Sequence, residues 1–199
     1  MTPESTPAPH LPDFVTIVSG LPRSGTSMMM QALTAGGLPA LTDGLRAADA
    51  DNPRGYYEFE PVKRTRQDPS WLAQARGKVV KMVYRLLYDL PGAGYEYRVI
   101  VMHRDIQEVL ASQKKMLRRL GKDDGGDDAQ LAGLFEKQLS DFERWVAGQP
   151  AFRTLDVPYA DMIASPRVQC SRINDFLGGL LDVDAMAAAI DPSLYRNRA

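Results

Sequence analysis

Apolar and polar positions along the chain alternate between short β-branched runs and longer helical repeats. Phe14 to Ser19 (FVTIVS) is an unbroken apolar run closed by Gly20, the pattern of a strand buried on both faces. After a glycine-bearing loop, Thr26 to Ala35 carries helix formers and stops at Gly36-Gly37, a helix-ending signal. Lys78 to Tyr84 (KVVKMVY) reads as a second strand. Tyr97 to His103 (YRVIVMH) reads as a third, followed at once by a helix from Ile106 to Leu120. Ala129 to Ala147 places Leu131, Phe135, Leu139, Phe142 and Val146 at the three-and-four spacing of an amphipathic helix. Phe152 to Val157 is a fourth strand, Pro166 to Leu177 a helix with proline at its start, and Ala185 to Ile190 a short last helix.

Between these elements lie two weaker regions. Leu38 to Asp68 carries Pro39, Pro53 and Pro61 with few apolar repeats and reads as a surface excursion with short helical pieces. Gly121 to Asp128 (GKDDGGDD) reads as a flexible acidic loop. There is no internal repeat. Strands alternating with helices predict an α/β domain with three layers, α/β/α, and a mostly parallel central sheet, whose sites lie at the carboxyl ends of the strands.

Length and composition narrow the class. The 199 residues suit one domain, expected over 14–199 behind a flexible leader at 1–13, and 44% hydrophobic with 25% charged residues is a globular composition. A formal net charge of −1 argues against a general nucleic-acid binder. The single cysteine, Cys170, excludes an intrachain disulfide and a cysteine-based zinc cluster, and reads as a small buried residue. The leader lacks the positive start and apolar run of a signal peptide, and no stretch approaches the roughly 20 apolar residues of a membrane helix. A cytoplasmic location is the expectation.

The candidate chemistry begins at the first loop, Gly20-Leu21-Pro22-Arg23-Ser24-Gly25-Thr26-Ser27. Glycines allow the backbone N–H groups to turn inward around an anion, and the following helix N-terminus adds partial positive charge. Arg23 offers planar donors, and Ser24, Thr26 and Ser27 offer hydroxyls. Against the triphosphate pattern G-x-x-x-x-G-K-[ST], Gly20 and Gly25 match but Thr26 stands at the lysine position. A kinase or GTPase needs that lysine and a magnesium-binding acid, and no strand ends in an obvious one. Arg104, at the end of the third strand, and Ser112, two helical turns later, can close on one phosphate from two sides.

Together these segments resemble PAPS-dependent sulfotransferases, specifically small bacterial members with the P-loop fold. GLPRSGTS resembles their 5′-phosphosulfate loop, and VIVMHRDIQEVLAS their 3′-phosphate strand and helix, with Arg and Ser eight apart. Asn52 to Glu58, Tyr159 to Met162, Pro166 and Phe176-Leu177-Gly178 are similar to further family segments, so the resemblance spans about residues 14–180. It implies a donor, 3′-phosphoadenosine 5′-phosphosulfate (PAPS), and sulfuryl transfer to a hydroxyl or amine without a metal. By that resemblance Pro22, Arg23, Ser24, Gly25, Thr26 and Ser27 hold the 5′ end, while Arg104 and Ser112, with Arg196 of the basic tail as a further candidate, hold the 3′-phosphate.

For catalysis the candidates are Arg23, Lys81 and a glutamate. The histidine that many family members place two residues after a strand lysine is absent, since Val83 follows Lys81 at that spacing. Other branches take a base from the segment after the first helix, where Glu58 is the first choice and Glu60 the second. His103 reads as structural, and Lys114, Lys115, Arg118 and Arg119 as a solvated helix face or an attractor of an anionic acceptor. The acceptor itself, glycan, lipid or small molecule, is unspecified. Two other readings remain: a non-catalytic domain that binds an adenosine phosphate or a partner, and a small-molecule kinase with a degenerate loop.

Overall fold

The computed structural model describes residues 13–45, 55–122 and 126–194. Residues 1–12 of the leader, Asn52 to Arg54, residues 123–125 of the acidic run and Arg196 lie outside the described residues.

Four strands form one parallel sheet in the order β2-β1-β3-β4. They are β1 (Val15–Gly20), β2 (Val79–Lys81), β3 (Tyr97–His103) and β4 (Phe152–Pro158). β1 and β3 occupy the centre, paired in register from Val15↔Tyr97 to Gly20↔Met102. Every residue of β1 is buried, as its unbroken apolar run requires of a strand covered on both faces. Alternate side chains serve opposite layers. Val18, Ile100, Met102 and Val157 pack with α1 (Thr26–Ala35), α5 (Tyr159–Ala164), α6 (Pro166–Phe176) and α7 (Val183–Ala188). Ile17, Val80, Val99 and Val101 pack on the other side with α2 (Leu72–Ala75) and α4 (Asp128–Val146), where Phe142, Trp145, Tyr84, Tyr88 and Phe152 form an aromatic cluster. The remaining helix, α3 (Ile106–Arg119), leads directly out of β3 and lies against α4.

Three readings of the sequence change. The second strand is shorter than 78–84: it pairs with β1 only from Thr16↔Val79 to Val18↔Lys81. Met82 still donates to the Val18 carbonyl at 3.0 Å, but the chain then leaves the sheet for a 3₁₀ helix, Tyr84–Asp89. The excursion after α1 is not all surface. Leu38, Leu41, Tyr56, Val62 and Thr65 are buried, and Leu41 N–H donates to the Val79 carbonyl along the outer edge of β2. The acidic run is partly structured: Asp127 caps α4 by accepting from Ala129 N–H at 2.9 Å, and Asp128 begins the helix and pairs with Lys114 at 2.7 Å.

Candidate functional site

The first loop leaves β1 at Gly20, whose φ of 149° and tight surroundings suit no other residue. A Cβ there would lie 2.5 Å from Ser24 Oγ and 2.7 Å from the Met102 carbonyl. Gly25, at φ 100°, is the N-cap of α1, and a Cβ on it would meet the Tyr159 ring at 2.5 Å. Between them Arg23 also takes a left-handed conformation, φ 71°. Such a conformation costs a non-glycine residue about 1 kcal/mol or more and persists only where its surroundings hold it. As a glycine, the N-cap of α1 makes no side-chain cap hydrogen bond. The Ser24 hydroxyl is buried with no hydrogen-bond partner.

What holds the loop is the end of β3 and the helix behind it. Arg104 Nη1 donates to the Arg23 carbonyl at 3.2 Å, and Arg23 Nε donates to Ser112 Oγ at 3.0 Å. The Arg104 guanidinium also lies 4.5 Å over the Tyr159 ring and donates through Nε to Glu108 at 2.8 Å. Burial pushes the Tyr159 phenol above its ordinary pKa, against a downward pull from Arg104, so the ring stays neutral at physiological pH. The order of these groups follows from α3. Asp105 caps it, accepting from Gln107 and Glu108 N–H at 2.8 and 3.1 Å, and the helical period then turns Glu108 and Ser112 to one side.

Opposite stands the segment before the first 3₁₀ helix, Glu60–Arg64. Thr42 Oγ1 and Asp43 N–H both donate to the Glu58 carbonyl, while the Asp43 carboxyl accepts from Glu60 N–H and Leu45 N–H, and these two donors hold it below its ordinary pKa. Lys81, at the carboxyl end of β2, donates to the Tyr56 carbonyl and lies 3.9 Å from the Glu58 carboxylate. Glu60 is more exposed and pairs instead with Lys63 at 2.5 Å.

The loop, the end of β3, Ser112 and the facing segment line one cleft of about 590 Å³. Pro22, Arg23, Gly25, Thr26, Ser27, Glu58, Glu60, Lys81, Arg104 and Ser112 reach its walls; Ser24 lies just beneath the loop. Phe59, Val62, Met82, Leu86 and Met116 add apolar surface, and Lys115 and Arg119 reach it from α3. His103 does not: its Nε2 lies 2.7 Å from Asp156 Oδ1, in a smaller hollow of about 190 Å³ that shares only Arg104 and Tyr159 with the cleft. Sequence reasoning did not assign a site role to Tyr159 or Glu108. The i,i+4 spacing of Arg104 and Glu108 was a readable signal; the Tyr159 contact joins residues far apart in the chain and was not. Among the described residues no group of His, Cys, Asp and Glu is placed to hold a metal ion, and no helix is long and apolar enough to cross a membrane.

A glycine loop between the first strand and first helix of a parallel sheet, with polar groups gathered at the strands' carboxyl ends, defines a P-loop type of α/β fold. No family model and no curated protein sequence matches the chain. Solved structures do. The sulfotransferase domain from the curacin biosynthetic pathway superposes with a TM-score of 0.56 and 17% identity, over 92% of this chain and 89% of that one. The sulfotransferase domain from the Synechococcus PCC 7002 olefin synthase gives 0.57 and 15%, over 94% and 89%. The chain has the sulfotransferase fold.

Proposed function

We propose that this chain is a sulfotransferase that takes its sulfuryl group from PAPS and passes it to a hydroxyl or amine of an acceptor. The observation that carries this reading is the direct linkage of the first loop to Arg104 and Ser112 within one cleft. The residues suit the donor's two anionic ends. Glycines that exclude any Cβ, a helix N-terminus with glycine as its N-cap and the buried Ser24 hydroxyl, which has no hydrogen-bond partner among the described residues, suit a phosphosulfate. Arg104 and Ser112 suit the separate 3′-phosphate.

The donor supplies an activated sulfuryl group and leaves as adenosine 3′,5′-bisphosphate. The chain's own part is positioning and charge stabilisation. The loop N–H groups and Arg23 stabilise negative charge on the oxygens around the transferred group. Glu58 accepts the proton of the acceptor hydroxyl as its oxygen attacks, and Lys81 holds that carboxylate in place at 3.9 Å. The apolar wall of Phe59, Val62, Met82, Leu86 and Met116 receives the acceptor's body and excludes water.

Isothermal titration with adenosine 3′,5′-bisphosphate, beside magnesium ATP and beside Arg104→Ala, tests the donor. Micromolar binding of the bisphosphate, lost in the variant and unmatched by ATP, is the expected result. A preference for magnesium ATP, or no binding of the bisphosphate, overturns the reading in favour of a kinase or an unrelated function. Bisphosphate binding without turnover across a broad acceptor panel would point to a non-catalytic domain.

A further inference from the structure

Arg104 is not an ordinary strand-end arginine, because a second charge is buried with it. The side chains of Arg104 and Glu108 are 8% and 5% exposed, and Arg104 Nε donates to Glu108 Oε2 at 2.8 Å. A carboxylate almost out of water costs several kcal/mol unless paired, and it stands beside a site assigned to an anion. Charge alone gives no reason for it, since a negative group there weakens the attraction of Arg104 for phosphate. Geometry does. The guanidinium is held on three sides: the Nε edge by Glu108, one face by the Tyr159 ring 4.5 Å away, and Nη1 by the Arg23 carbonyl at 3.2 Å. A guanidinium fixed in this way meets the cleft in one orientation, so less side-chain entropy is lost on binding.

We infer that Glu108 is a positioning residue for the 3′-phosphate: it orients Arg104 and so sets how strongly the site prefers a 3′-phosphorylated adenosine nucleotide over one with a free 3′-hydroxyl. The inference rests on the donor reading above. Glu108 acts through Arg104, and its role is shape rather than charge. Its position on α3, one turn before Ser112, ties the two 3′ groups to a single rigid element.

The experiment compares binding of adenosine 3′,5′-bisphosphate and AMP to wild type, Glu108→Asp and Glu108→Gln, with folding checked by circular dichroism. The aspartate keeps the charge but is one methylene short of Nε; the glutamine keeps the reach and an acceptor oxygen but loses the charge. The ratio of the two affinities falls about tenfold in Glu108→Asp, through weaker bisphosphate binding with AMP unchanged, as expected for a misdirected charge-assisted contact. In Glu108→Gln the ratio stays at or above that of wild type. Should the aspartate variant not fold, Glu108→Met fills the same space with no acceptor and is expected to show the same fall. An unchanged ratio in the aspartate (or methionine) variant, a fall in the glutamine variant, or equal losses for both ligands overturns the inference. A wild type that binds both nucleotides equally sinks the donor reading itself, which keeps the two failures apart.

Discussion

Glu58 and Glu60 are two residues apart and differ in what surrounds them. Glu58 lies 3.9 Å from Lys81 and is fixed through its carbonyl by Thr42 and Asp43, whereas Glu60 is half-exposed and tied to Lys63. A proton acceptor must be held in one place to act in the transition state, and only Glu58 meets that requirement. Glu58→Gln is expected to lower kcat by roughly 10² to 10⁴ with bisphosphate affinity unchanged. Turnover within a few-fold of wild type, once an acceptor is in hand, would remove Glu58 from the mechanism. The order of preference between the two acids was readable from the segment's resemblance, but the physical reason was not. It depends on Asp43 and Lys81, which lie fifteen and twenty-three residues from Glu58. The loop was more legible: Gly20, Arg23, Ser24 and Gly25 act locally, so their pattern is visible without the rest of the fold.

Among the elements, α3 joins the cleft to the support behind it. It brings Ser112, Lys115, Met116 and Arg119 to the cleft and Glu108 to the Arg104 behind it, and its start is capped by Asp105. Asp105→Ala removes both cap hydrogen bonds and is expected to cost about 1 kcal/mol in stability. Bisphosphate binding should weaken as well, because the first turn carries Glu108; a thermal melt and a titration on the same sample check both. A variant that melts and binds as wild type would show that helix entry is set elsewhere. β3 and α1 were read to the residue, since their patterns report continuous burial. β2 was read too long because its apolar run continues after the chain has left β1 for the 3₁₀ helix, and the ladder, not the side chains, decides where it stops. α2 was missed: four residues are too few to display a helical period.

At the scale of the whole molecule, several groups resist ionisation for the same reason, Tyr84 and Tyr88 among them. Burial raises the phenols of Tyr97 and Tyr159 and pushes the Cys170 thiol up to about 11 from an ordinary 9.0. Each folded pKa lies above its unfolded value, so the unfolded chain releases these protons first as pH rises. The stabilisation they represent is complete below the unfolded values and is lost as pH climbs through the folded ones. The urea midpoint is expected to hold steady toward pH 8 and fall progressively above about pH 9, with Cys170 unreactive to a thiol reagent until the chain unfolds. A midpoint that rises between pH 9 and 11 would contradict the burial of these groups. The buried character of Cys170 was legible from its type alone; that of Tyr97 and Tyr159 came only with the packing of the strands and helices around them.

The parallel order of the sheet also has a meaning in time. The first loop is synthesised roughly 80 residues before the strand that holds it, and β1 has no hairpin neighbour to pair with in the interval. Pairing so distant in sequence forms late and slowly, because a long loop must close before any contact rewards it. Until β3 arrives, the left-handed turn at Arg23 has neither Arg104 nor Ser112 to rest on. On the proposed function, a donor spanning the first loop and the end of β3 would join segments made far apart in time, and so would favour a pairing that otherwise forms late.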